Sequence, residues 1–136
     1  MVRCHILDKT YKDKEEELVK KALLLLEKIS TGDIPLKKEI DTSKELFFEL
    51  HIVDSTTLDK NVYSYEYPND FPNPEFPDKT PLGEVYINPT VAKSQGHSIE
   101  YMLVHGFLHL LGYDHQGKDD TIAMQALEEK LLQFFN

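Results

Sequence analysis

The sequence predicts an α+β fold, a single domain over residues 1–136 in which a small mixed sheet of about four strands is covered by helices. Three observations lead there. Short segments are rich in aromatic and branched residues, and longer ones carry apolar residues spaced by three or four. The order of those segments is strand, helix, strand, strand, strand, helices. The 136-residue length allows one hydrophobic core without disulfide staples.

Residues 2–7 are expected to form the first strand and residues 14–29 a helix. Leu18, Val19, Ala22, Leu25, Leu26 and Ile29 give that helix one buried stripe. Gly32 and Pro35 end it, because glycine suits a C-cap and proline cannot continue the hydrogen-bond ladder. Residues 46–53 are aromatic and branched enough for a half-buried second strand. A loop starts at Asp54, and residues 62–67 and 83–87 supply the third and fourth strands. Between these two, residues 68–81 hold Pro68, Pro72, Pro74, Pro77 and Pro81, which forbid regular structure and suit an exposed connector or a flap over a site. A short helix fits residues 89–95. Ser98 is placed to cap a helix over residues 99–111, since its side-chain oxygen can accept a free amide of the first turn, and Gly112 stops that helix. Residues 119–135 make a last amphipathic helix, with Ile122, Ala123, Ala126, Leu127, Leu131 and Phe134 on its apolar side.

Charge and composition narrow the function. A net charge of -9 argues against the broad basic face of a non-specific duplex binder, while leaving room for a local basic groove. Among the 15 basic residues only Arg3 is an arginine. No segment approaches the roughly 20 apolar residues of a membrane span, and the N-terminal residues lack the pattern of a signal peptide. A cytoplasmic protein with no membrane partner is therefore expected. Cys4 is the single cysteine, which excludes intramolecular disulfides and multi-thiolate zinc knuckles. Any bound metal must rest on histidines and carboxylates.

Three of the six histidines fall between His105 and His115. On a helix His105 and His109 share one face about 6 Å apart along the axis, so their imidazoles can converge on one ion. Gly112 can take the left-handed conformation that ends a helix, which turns the chain back and brings His115 to the same ion. Three imidazoles with an open fourth position describe a catalytic zinc site, one ion per chain, at the C-terminal end of a helix. Iron, nickel and manganese stay open, because ligand type alone does not settle identity. The spacing is zinc-metalloprotease-like, but that signature has glutamate directly after the first histidine as general base, and here Gly106 occupies the position. Asp114 is the nearest carboxylate in sequence and can serve as base or as a partner orienting an imidazole. Glu84 and Glu100 are weaker candidates.

The run from His105 to His115 resembles the YbeY family of bacterial rRNA maturation factors, whose hallmark is His-Gly-x-Leu-His-Leu-x-Gly-Tyr-Asp-His. The likeness extends upstream through Gly96-His97-Ser98, residues 92–95, Leu82-Gly83-Glu84-Val85, and the strand around Val62 and Ser64. It implies a metal-dependent, single-strand-specific endoribonuclease acting in 16S rRNA 3′-end maturation and ribosome quality control, with His105, His109 and His115 as zinc ligands. RNA, and the small ribosomal subunit with its proteins, are the implied partners. The chain departs from the family between the second and third strands, where members carry a Tyr-Arg pair and this chain has no arginine. Lys60 stands nearest, and as a point charge it can neutralise a phosphate without the planar fork of arginine. A zinc-containing ribosome-assembly factor that does not cut RNA, and a metallopeptidase, are the alternatives. His97 matches a family position but lies about 12 Å from His105 along the helix, so it is read as a capping or groove residue.

Overall fold

A computed structural model of the chain describes residues 1–67 and 75–135. Strands β1 (Val2–Ile6), β2 (Glu45–Ile52), β3 (Val62–Glu66) and β4 (Lys79–Ile87) form one sheet in the order β1-β2-β4-β3. β1 is parallel to β2 and β2 to β4, whereas β3 is antiparallel to β4, so the sheet is mixed as expected. Helices α1 (Glu15–Ser30), α2 (Pro89–Ser94), α3 (Ile99–Leu110) and α4 (Lys118–Gln133) follow the expected order, with a short 3-10 helix, Lys9–Lys14, leading into α1. No described helix is long and apolar enough to cross a membrane.

Alternation along β2 shows why the sheet faces as it does. Phe48, Leu50 and Ile52 are fully buried, while Glu49 and His51 between them are half-buried on the other face. Val85 and Ile87 of β4 join the buried set, which packs on Leu18, Ala22 and Leu25 of α1 and on Leu103, Phe107 and Leu110 of α3. The Phe48 and Phe107 rings meet at 5.1 Å. A one-residue slip of β2 would carry Glu49 and His51 into this core, so the register is strongly specified.

Two elements differ from expectation. β4 starts at Lys79 and includes Pro81, whereas the sequence reading began it at Gly83. Pro81 is tolerated because β3 pairs with β4 only as far as Gly83, and the β2 register shifts beside it between Phe47 and Phe48. Pro77 sits in a turn ahead of β4, while residues 68–74, and with them the expected connector or flap, lie outside the described residues. The second difference is the buried face of α4. Met124, Glu128 and Leu131 are buried and Leu127 half-buried, but Ile122, Ala123, Ala126 and Phe134 are exposed. Positions 124, 128 and 131 follow i, i+4, i+7 and share one face. A glutamate within that stripe conceals it from any count of apolar residues. Phe134 instead lies beneath the Lys28 ammonium, 4.0 Å from ring centroid to nitrogen.

Candidate metal centre

Helix α3 is fixed at both ends. The Ser98 hydroxyl accepts the Tyr101 amide at 3.0 Å. At the other end Gly112 has φ +97°, the Tyr113 amide donates to the Leu108 carbonyl at 3.1 Å, and the Gly112 amide donates to the His109 carbonyl at 3.2 Å. These two bonds are the Schellman pattern, which requires a left-handed residue at that position. The chain beyond is pinned as well. Tyr113 is buried with its hydroxyl donating to the Pro35 carbonyl at 2.6 Å, and the Lys37 amide donates to the Leu111 carbonyl at 3.0 Å. A Cβ on Gly112 would stand 3.0 Å from the Lys37 carbonyl carbon. Gly112→Val therefore combines backbone strain with a close contact, and is expected to lose about 1–3 kcal/mol of stability and to weaken metal binding. Thermal melting and zinc titration check this; unchanged melting with unchanged affinity contradicts the turn's role.

The turn brings three rings together. Ring centroids of His105 and His109 lie 4.7 Å apart, and the His115 ring stands 5.1 Å from His105 and 5.2 Å from His109. The Nε2 atoms of His105 and His109 are 3.2 Å apart, and one nitrogen from each of the three rings lies within 4.8 Å of the others. Two nitrogens bound at about 2.0–2.1 Å to a tetrahedral ion stand about 3.3 Å apart, so this pair already has the spacing of two ligands on one ion. Burial, and then the adjacent His105 and His115, hold His109 below its ordinary pKa, which favours the neutral ring that a metal needs.

Glu128 was not among the residues singled out from sequence, and it is the carboxylate that orients the cluster. Its side chain, 1% exposed, places Oε2 2.6 Å from Nδ1 of His105. A proton held on Nδ1 by this carboxylate leaves the Nε2 lone pair facing His109, as metal-bound histidines require. Tyr101 stacks near His105 at 5.9 Å, and its hydroxyl is pushed up by burial and by the charge of Glu128. A carboxylate this buried is costly without a partner, and a cation held by the far nitrogen of His105 would add to the compensation that the ring gives. Glu128→Gln is expected to lower metal affinity by roughly 10–100-fold, read by titration calorimetry. Unchanged affinity in a folded variant would remove the orienting role.

The position that carries the base in zinc proteases is closed. A Cβ on Gly106 would lie 2.7 Å from Val85 Cγ1 and 3.1 Å from Ser64 Oγ, because α3 presses directly on β3 and β4 there. The Ser64 hydroxyl also donates to the Gly106 carbonyl at 2.9 Å. Asp114 sits at the surface instead. Its Oδ1 accepts the amide of His115 at 2.7 Å, and that bond, ahead of every other cause, holds its carboxyl below the usual range.

His105 and His109 open into a cleft of about 560 Å³ that Lys60 and Asp114 also line. Lys60 is kept there by a fastened segment: buried Asn88 donates through Nδ2 to the Leu58 carbonyl at 2.8 Å, and its amide donates to the Asn61 carbonyl at 3.0 Å. His97 lies outside the cluster, stacked on Tyr101 at 4.9 Å. Glu100 pairs with Lys21 at 3.2 Å, and Glu84 lies on the opposite face of the sheet from α3.

Imidazoles that converge in an open cleft, with one ring held by a buried carboxylate, form the donor set used by metal-dependent hydrolases. A family model described as Endoribonuclease YbeY matches residues 8–136. The chain belongs to that family. A Malacoplasma penetrans (strain HF-2) protein named Endoribonuclease YbeY is 32% identical, with 88% of this chain and 89% of its own covered. A relative of the same name from Ureaplasma urealyticum serovar 10 is 38% identical over 118 residues, covering 76% of this chain and 75% of its own. The match to the Wolbachia sp. subsp. Drosophila simulans relative, also so named, is more local, at 41% over 70 residues, with 46% of this chain and 47% of its own covered.

Proposed function

We propose that this protein is a zinc-dependent endoribonuclease that cuts single-stranded RNA, acting in 16S rRNA 3′-end maturation and ribosome quality control in the cytoplasm, with the small ribosomal subunit as partner. The observation that carries the reading is that one nitrogen each of His105, His109 and His115 lies within 4.8 Å of the others, with His105 and His109 on the wall of an open cleft and Glu128 behind His105. All-imidazole donors favour a borderline ion such as zinc over magnesium or calcium.

When bound, the ion supplies Lewis acidity that makes water a competent nucleophile near neutral pH and offsets negative charge building on the phosphate. The chain's own groups do the rest. Glu128 keeps the donor nitrogen of His105 free. Asp114, a carboxylate exposed on the cleft wall, is the chain's candidate to accept a proton. Lys60, on the same wall, offers the phosphate a point charge where the family's arginine is missing. Single-strand preference follows from an open cleft beside an acidic body, since a duplex brings a second phosphate strand that the net charge of -9 repels.

Incubating zinc-loaded protein with single-stranded RNA, duplex RNA and a peptide mixture tests the reading, and only the first is expected to be cut. Binding of single-stranded RNA without cleavage would favour the assembly-factor reading, which the missing arginine supports. Peptide cleavage would contradict the closed position at Gly106. Lys60→Ala is expected to slow RNA cleavage roughly two- to fivefold at low salt with zinc content unchanged, the scale of one exposed charge pair. Lys60→Arg is expected to match or exceed the unmodified rate. Equal rates for the unmodified protein and Lys60→Ala would exclude Lys60 from phosphate contact.

A further inference from the structure

The sheet face away from the helices carries two cross-strand rows that the centre above does not use. The register sets His5 opposite His51, His51 opposite Tyr86 and Tyr86 opposite Tyr63, and beside that row sets Arg3 opposite Glu49 and Glu49 opposite Glu84. Alternate residues share a face, so both rows point the same way. The first row is a stack. His5 and His51 are 4.7 Å apart and 15° from parallel, and His51 and Tyr86 are 4.3 Å apart and 7° from parallel. With both ring faces covered, His51 presents its edge. Its Nε2 lies 2.9 Å from Glu84 Oε1 and 3.5 Å from Glu49 Oε2, while His5 Nε2 lies 4.0 Å from the other Glu49 oxygen. One donor atom each of His5, Glu49 and His51 falls within 4.8 Å of the others.

Carboxylates placed directly opposite on neighbouring strands repel, and this face holds such a pair. Burial and the bond to Glu84 hold Glu49 above its usual range, whereas Glu84, despite its own burial, is held below it by hydrogen bonds from Glu49, Tyr86 and His51. Arg3 relieves Glu49 from one side at 3.4 Å, but it is also engaged by Glu75 at 2.9 Å. Tyr67 and Tyr86 face Glu84 too, and burial together with that charge raises both hydroxyls, Tyr86 to about 12. Fixed nitrogen edges beside two closely set carboxyl groups form a seat for a cation.

We propose that His5, Glu49 and His51 form a second metal site, taking a divalent first-row transition ion of the zinc type, with Glu84 as the flanking carboxylate. Two imidazoles disfavour magnesium and calcium, which take oxygen ligands. The ion clasps β1 to β2 across the sheet edge. This site is independent of whether the α3 centre cuts RNA.

Equilibrium dialysis of the full chain against micromolar zinc is the test. The unmodified protein is expected to hold two zinc ions per chain. His51→Phe, which keeps an aromatic ring between His5 and Tyr86 but removes the nitrogen, is expected to hold one. His109→Ala keeps the sheet ion. Glu49→Gln weakens the second equivalent by at least about tenfold and carries the same test should His51→Phe fail to fold. Arg3→Gln tightens it, because the nearest competing cation is gone. The same zinc content in the unmodified protein and in folded His51→Phe and Glu49→Gln would overturn the proposal.

Discussion

Replacing His109 by alanine is expected to empty the α3 centre at buffered nanomolar free zinc and to slow cleavage of single-stranded RNA by more than about 100-fold, with the fold retained. His109 is half-buried on the same helical face as His105, and its Nε2 lies 3.2 Å from that of His105. Without it the ion keeps His105 and the exposed, loop-borne His115, a pair that rarely holds zinc as well as three donors. The core residues of α3 that pack on the sheet, Leu103, Phe107 and Leu110, are untouched, so melting of the metal-free proteins should agree closely. The proposed His5, Glu49 and His51 site, with two imidazoles rather than three, is expected to stay unfilled at nanomolar free zinc, so metal analysis reports the α3 centre alone. Stoichiometric zinc in His109→Ala, or an unchanged cleavage rate, would contradict the three-histidine centre.

Gly106→Glu, which restores the protease signature in sequence, is expected to abolish stable folding rather than to create a peptidase. The Cβ alone would meet Val85 at 2.7 Å and Val62 at 3.2 Å. Overpacking of that kind costs about 1–3 kcal/mol, and an unpaired charge pressed between α3 and the sheet adds several more. Together they approach the about 5–15 kcal/mol that separates most folded domains from their unfolded chains. Gly106→Ala gives up only part of this, because alanine's better helix propensity, about 1 kcal/mol, offsets some of the crowding. Thermal denaturation of the two variants, with a peptide-hydrolysis assay on any soluble Gly106→Glu, checks the argument. A Gly106→Glu protein that melts like the unmodified chain would show that α3 stands further from the sheet than described.

The sequence reading was strongest where one local rule governs. The α3 cap at Ser98 and the stop at Gly112 depend on hydrogen bonds within a few residues, and both formed as expected. The α1 stripe is equally local, and its 3–4 spacing reappears in the burial of Leu18, Ala22, Leu25 and Ile29, while β2 forms where aromatic and branched residues cluster. Features that need a distant partner were not legible. Glu128 lies 23 residues beyond His105, and only the packing of α4 on α3 makes their contact; the signal available was its place between Met124 and Leu131 at helical spacing. Reading α4 by apolar count favoured Ile122 and Ala126, which are exposed, because that count assigns any glutamate to solvent. Pro81 looked like a strand breaker until the length of β3 left its edge unpaired. The tightness at Gly106 likewise depends on Val62, Ser64 and Val85, supplied by two strands far from the motif in sequence.

The most direct measurement is anomalous diffraction at the zinc absorption edge from crystals grown with one equivalent of zinc per chain. The predicted result is one strong peak about 2.0–2.1 Å from Nε2 of His105, Nε2 of His109 and a ring nitrogen of His115, with Glu128 still bonded to the far nitrogen of His105. A map with no peak among these three rings, or with its strongest peak elsewhere on the chain, would contradict the α3 metal centre on which the proposed function rests.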